Sequence, residues 1–215
     1  MPILLEEPYF LLNGAVKKME LAPFNPLDKR NLGISIANAI FDQEILPLKA
    51  LQSFTGAGIY VIYYKGNFPV YKKITLRNKD DFQQPIYAGK AVPEGSRKGG
   101  LGLDVQIGEN LYKRLNEHKK SIEAAENLDI NDFYCRFLLV DDIWIPLGES
   151  LLIEKTKPLW NIVVDGFGNH DPGSGRYNQQ MSAWDTIHPG RIWANKLQKG
   201  KTQEEIIYLI NDFLQ

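Results

Sequence analysis

The stretch FTGAGIYVIYYKG, residues 54 to 66, constrains the fold more than any other part of the chain. After two glycines, Ile59, Val61 and Tyr63 alternate with Tyr60, Ile62 and Tyr64. β-Branched and aromatic residues alternating behind a glycine turn predict a strand within a sheet. Three tyrosines in five positions invite two explanations. They supply large packing area, or one of their hydroxyls faces a reaction. The strand alone leaves both open.

The 215 residues fit one domain with elaborations, and 44% hydrophobic content is enough for a genuine core. The start, MPILLEEPYF, has no basic leader region, and no apolar run reaches membrane-spanning length. One cysteine, Cys135, leaves no partner for a disulfide and no Cys-rich zinc set. These features suit a reducing cytoplasm. Net charge is −1, yet two stretches are basic and free of acid. Residues 65 to 79 carry Lys65, Lys72, Lys73, Arg77 and Lys79, and residues 186 to 201 carry Arg191, Lys196, Lys199 and Lys201. Segregated charge of this kind fits a phosphate-contacting face, or simply a solvated basic one.

Periodicity and punctuation then place the remaining elements. Helices are expected around NLGISIANAIF and LPLKALQSF, a strand at 58 to 64, and a basic loop or extra hairpin at 65 to 79. A second strand is expected at 84 to 91, then a glycine-rich loop at 92 to 105 without a P-loop ending. A helix over 105 to 127, a strand in DFYCRFLLVDD and a helix stopped by Pro158 complete the core. Residues 161 to 193 read as an ordered loop region, and Thr202 as the N-cap of a closing helix. The order β–β–α–β–α predicts an α+β fold with a small three-stranded sheet flanked by helices.

Helical phase brings polar groups to the core side. At about 100° per residue, Ile107, Leu111, Leu115 and Ile122 share an arc that includes His118 and is bordered by Arg114. Four residues apart, Arg114 and His118 stack on one face. His118 could be a satisfied core histidine, but an arginine beside it calls for an anion. In the next helix Glu149 shares the apolar side with Ile145, Leu152 and Ile153, while Glu154 points away. Glu149 is either a salt-bridge partner of Arg114 or a site residue. A lone carboxylate is a thin zinc set but suits Mg2+, which keeps waters and shares phosphate oxygens. Arginine matches phosphate oxygens, and a histidine or tyrosine can take a proton from water. The group suits phosphodiester hydrolysis.

Five ordered motifs over residues 57 to 162 resemble the GIY-YIG nuclease superfamily. They are Gly58-Ile59-Tyr60, Tyr87-Ala88-Gly89, Arg114 with His118, Glu149, and Pro158 to Asn161 twelve residues beyond that glutamate. The tail DGFGNHDPGSGRYNQQMSAWDTIHPGRIWA is similar to that of type II restriction endonucleases of this class, which cut GC-rich palindromes of the CCGCGG kind. The resemblance implies a catalytic core at 57 to 162. It makes residues 1 to 53 an N-terminal elaboration and 163 to 215 a C-terminal, DNA-recognising one, all in one nuclease domain.

By the same resemblance Tyr60 and Tyr87 face the active site while Ile59 and Val61 pack behind. Glu149 binds Mg2+, with Mn2+ a substitute, Arg114 stabilises the scissile phosphate, and Asn161 completes the set. Tyr60 assisted by His118, or His118 itself, acts as the base. Lys72, Lys73, Arg77, Lys90, His170, Arg176, Gln179, Ser182 and Arg191 are the expected DNA contacts, with Arg176 and Arg191 the leading guanine readers. The implied partners are double-stranded DNA, a second copy of the chain on that DNA, and a companion DNA methyltransferase in a bacterial cytoplasm. An inactive DNA-binding protein on the same fold, or a repair or homing nuclease, are the competing functions.

Overall fold

Every residue of the glycine-led strand, β4 (Gly58–Tyr64), is buried, so its sheet is covered on both faces. The computed structural model describes residues 9–12, 15–18, 25–93 and 108–215. In it β4 pairs antiparallel with β5 (Tyr87–Ala91) and β6 (Phe133–Leu139). A fourth strand, β3 (Leu46–Pro47), pairs with the far edge of β6, giving the order β3-β6-β4-β5. A separate antiparallel hairpin of β1 (Tyr9–Leu12) and β2 (Ala15–Lys18) precedes it.

The fold is α+β, with four strands in the main sheet where the sequence predicts three. The additional strand comes from LPLKALQSF, expected to be helical. Pro47 cannot donate to a helical ladder, and here it sits in a two-residue edge strand, followed by a 3-10 turn over Leu48–Ala50.

Alternation along β4 separates two apolar layers. Tyr60, Ile62 and Tyr64 pack with Leu111, Leu115 and Ile122 of α3 (Asn110–Ala124), with Trp160 and Phe167, and with Ile206 and Ile210 of α7 (Gln203–Phe213). Ile59, Val61 and Tyr63 pack with Ala37 of α1 (Lys29–Ala39) and with Ile145 and Leu152 of α4 (Ile145–Thr156). Fully burying one such aliphatic side chain is worth about 1.5–3 kcal/mol. The leading glycine of β4 is dictated by the sheet itself. A Cβ on Gly58 would lie 2.0 Å from the Leu138 carbonyl oxygen, a backbone atom that cannot yield.

Residues 65 to 79 form a 3-10 turn over Pro69–Tyr71 and a short helix, α2 (Lys72–Arg77), in place of the expected loop or hairpin. Pro69 opens the turn with its φ already suited to it. α4 ends at Lys157, which takes a left-handed φ of 42° directly before Pro158. The loop region contains α5 (Leu159–Ile162), α6 (Ala183–Ile187) and two 3-10 segments. Thr202 caps α7 as expected, and a reciprocal capping box with Glu205 completes the cap. The glycine-rich loop and Ile107 fall largely or wholly outside the described residues. Among the described residues no helix is long and apolar enough to cross a membrane.

Candidate active site

The face of the sheet that carries Tyr60 opens into a cleft of about 530 Å³. Tyr60, Tyr87, Lys90, Arg114, Glu149 and His170 line it. β4 supplies Tyr60, and opposite it in β5 stands Gly89. A Cβ there would come within 2.5 Å of the Tyr60 hydroxyl, so this glycine makes room for the phenol. Asn161 also acts on β5. Its carboxamide accepts from the Ala88 N–H and donates to the Ala88 carbonyl, both at 2.8 Å. Its side chain is therefore committed to the strand backbone, which makes Asn161 a positioning residue rather than a member of the cleft wall.

α3 delivers the predicted pair. Tyr60 Oη lies 2.6 Å from His118 Nε2, with both residues fully or almost fully buried. Burial, reinforced by the neighbouring Tyr87 phenol, raises the Tyr60 pKa well above that of a free tyrosine, although Arg114 pulls it back. Burial, followed by the positive charge of Arg114, holds His118 well below the ordinary histidine range. A phenol that keeps its proton faces an imidazole that refuses one. The hydroxyl therefore donates, and His118 Nε2 accepts. Burial and charge also act on Tyr87, whose pKa is raised chiefly by desolvation.

Arg114 borders the same cleft. Its Nη1 donates to Glu117 Oε2 at 3.0 Å and lies 2.6 Å from His170 Nε2, while Nη2 donates to the Gly168 carbonyl at 3.0 Å. Glu149 does not pair with Arg114. Its carboxylate meets Lys90 Nζ at 2.5 Å, so Lys90 belongs to the cleft rather than to an open strand end. Glu154 is exposed, as its helical phase requires.

The expected DNA contacts divide sharply. Arg176 and Gln179 are exposed, and Lys72, Lys73 and Arg77 are exposed on α2, away from the cleft lining. Lys73 donates to the Leu214 carbonyl at 2.8 Å, and Arg77 to the Gln84 side chain. His170 lies in the cleft beside Arg114. Two nominations are corrected. Arg191 is only 5% exposed and pairs with Asp185 at 2.7 Å, so its guanidinium cannot reach a base. The Ser182 hydroxyl caps α6, accepting from the Asp185 N–H at 3.2 Å and donating to its carboxylate at 2.7 Å.

Phe167, Gly168, Lys113 and Glu117 also surround the site; helical phase assigns Lys113 to solvent, and the sequence marks none of the four as a site residue. Glu117 alone carried a usable signal, being three residues after Arg114 on the same helical face. Among the described residues no group of three or more His, Cys, Asp or Glu is placed to hold a metal ion. Glu149 and Glu117 are the two carboxylates in the cleft lining.

Comparison with protein families matches residues 52–214 to the Eco29kI GIY-YIG domain. A search of the curated proteins finds no match.

Proposed function

Because the chain belongs to the Eco29kI GIY-YIG family of restriction endonucleases, we propose that it is a type II enzyme hydrolysing double-stranded DNA at a specific, GC-rich palindrome with Mg2+. The observation that carries this reading is the buried hydrogen bond from Tyr60 to a neutral His118, at the wall of a cleft that also presents Arg114, Lys90 and Glu149.

In this mechanism Tyr60 Oη accepts a proton from the attacking water while its own proton passes to His118 Nε2. Neither group then needs to be charged before the reaction begins. The water oxygen bonds to phosphorus as the bond to the 3′-oxygen breaks. Arg114 and Lys90 provide the positive charge facing the phosphate. In the DNA-free protein both cations are matched by carboxylates, Glu117 and Glu149. A phosphodiester would take the place of these carboxylates on the two cations, releasing the half-exposed Glu117 to water and Glu149 to a metal ion.

The donor set fits a hard cation. Glu149 is a single carboxylate, 19% exposed and already opposed by an ammonium, which suits an ion that keeps most of its waters. Glu149 would hold Mg2+, or Mn2+ in its place, and the ion would supply charge stabilisation at the scissile phosphate and leaving oxygen.

The test is incubation with unmethylated plasmid and Mg2+, followed by mapping of the fragment ends. Discrete double-strand ends at one recurring sequence are expected. Glu149→Ala should abolish them while retaining duplex binding in Ca2+, and the exposed-residue control Glu154→Ala should cut normally. Near-normal cleavage by Glu149→Ala would remove the metal role.

A further inference from the structure

A turn that follows the last family motif closes over the site from outside the sheet and α3. Three contacts from residues 166 to 170 fall on Arg114 and His118. The Phe167 ring stacks on His118, with centroids 4.5 Å apart and planes 17° from parallel. The Gly168 carbonyl accepts from Arg114 Nη2 at 3.0 Å. His170 Nε2 lies 2.6 Å from Arg114 Nη1 and accepts from it when neutral. Both ends of the proposed proton and phosphate chemistry are thus touched from within one five-residue segment.

The turn is in turn gathered by one buried side chain. Arg191 donates from Nη1 to the Phe167 and Asn169 carbonyls, each at 3.1 Å, and from Nη2 to the Gly166 carbonyl at 2.9 Å. Its Nε donates to Asp185 Oδ1 at 2.7 Å. The guanidinium also lies 4.4 Å over the Trp184 ring and 4.8 Å over Trp193. A planar fork is needed to reach three carbonyls and a carboxylate at once, and lysine has no such fork. The Asp185 carboxylate neutralises the charge, and the two indoles shield the contacts from water.

We propose that the 166–170 turn belongs to the catalytic apparatus, holding Arg114 and His118 in their working orientation, with Arg191 as its positioning residue. The turn's catalytic consequence rests on the nuclease reading above; its hold on the two side chains does not. A turn that only filled the core would not place His170, whose side chain is 61% exposed, against Arg114.

Three variants test this. His170→Ala removes an exposed side chain. Gly168→Ala puts a Cβ 2.9 Å from Arg114 Nη2 and 3.0 Å from Tyr87 Oη, both side-chain ends that can move without unfolding the chain. Arg191→Lys keeps the charge and loses the fork. With melting temperature essentially unchanged and the enzyme saturating over the duplex, the first two should slow single-turnover cleavage about 10–100-fold, as displaced catalytic groups do. Unaltered cleavage by both would overturn the proposal. In the DNA-free protein the chain's three histidines can be followed by their ring resonances. The His118 ring should shift in Arg191→Lys, and in Gly168→Ala should the lysine variant not fold. An unmoved His118 ring in a folded Arg191→Lys protein would deny Arg191 its role. Because the ring spectra require no cleavage, failure of the wild-type protein to cut DNA would count against the nuclease reading and leave the turn's structural hold separately decided.

Discussion

Two buried tyrosine–histidine pairs occur among the described residues, and their surroundings differ in a way that bears on which of them can react. Tyr60 and His118 meet at the wall of a cleft. Tyr71 Oη meets His188 Nε2 at 2.6 Å, accepts from the Trp160 indole N–H at 3.0 Å, and leaves His188 Nδ1 bound to Asn127 Oδ1 at 2.8 Å. Every polar atom of that second network has its partner, so its work is to hold the fold. Tyr60→Phe should lower single-turnover cleavage by about 10²–10⁴-fold, the range for lost proton transfer, with little change in affinity. Full activity in this variant would return Tyr60 to a packing role and leave His118 as the base. The second pair has a consequence for acid stability. Burial, then the charge of Arg191, brings His188 down to about 3. An unfolded histidine titrates near 6.5, so below that pH the unfolded chain binds a proton that the folded chain refuses. Stability contributed by neutral His188 is therefore complete above the unfolded value and is lost as pH falls toward the folded one. Denaturant unfolding at stepped pH should show this as a slope of up to about 1.4 kcal/mol per pH unit from this residue. His188→Asn should flatten the curve between roughly pH 5 and 6.5; an identical slope would place the linkage elsewhere.

Elements decide which basic residues remain free to meet DNA. The 3-10 segment Ser174–Arg176 leaves Arg176 exposed, whereas the buried position of Arg191 directs its guanidinium inward to the 166–170 carbonyls. Chemically identical side chains in one polar stretch thus take opposite roles. α2 presents Lys72 to solvent, while Lys73 on the same helix is tied to the C-terminal residues through Leu214. An exposed arginine reading a guanine should contribute about 1–3 kcal/mol of discrimination. Arg176→Ala is therefore expected to weaken the cognate duplex far more than a scrambled one. Lys72→Ala should weaken both alike and reduce the salt slope by about 1. Titrations on both duplexes at several salt concentrations distinguish these, and equal losses for Arg176→Ala would make it a phosphate contact.

At the scale of the whole molecule, the described residues place the Tyr60–His118 pair at the wall of one cleft. Cutting both strands of a palindrome calls for two sites related by the two-fold axis of the DNA. Two chains per duplex are accordingly expected when the complex is weighed at saturation, and one chain per duplex would refute the arrangement.

Local chemistry in the sequence determined the α+β class, the strand at 58 to 64, the Thr202 cap, and the facing of His118, Arg114 and Glu149 toward one place. Each of these depends on periodicity or a nearby side chain, which a linear string records. The conformation of LPLKALQSF was not legible, because its fate as an edge strand depends on pairing with β6, far away in the chain. Nor was the partner of Glu149, since Lys90 reaches it only once β5 and α4 are packed together. Arg191 makes the point most directly. Its charge and polar neighbours suit a base contact as well as an internal brace, and only burial between Trp184 and Trp193 chose between them. Composition states what a side chain can bond to; the tertiary structure decides which partners come within reach and which charges lose their water, and those two conditions set the chemistry of the site.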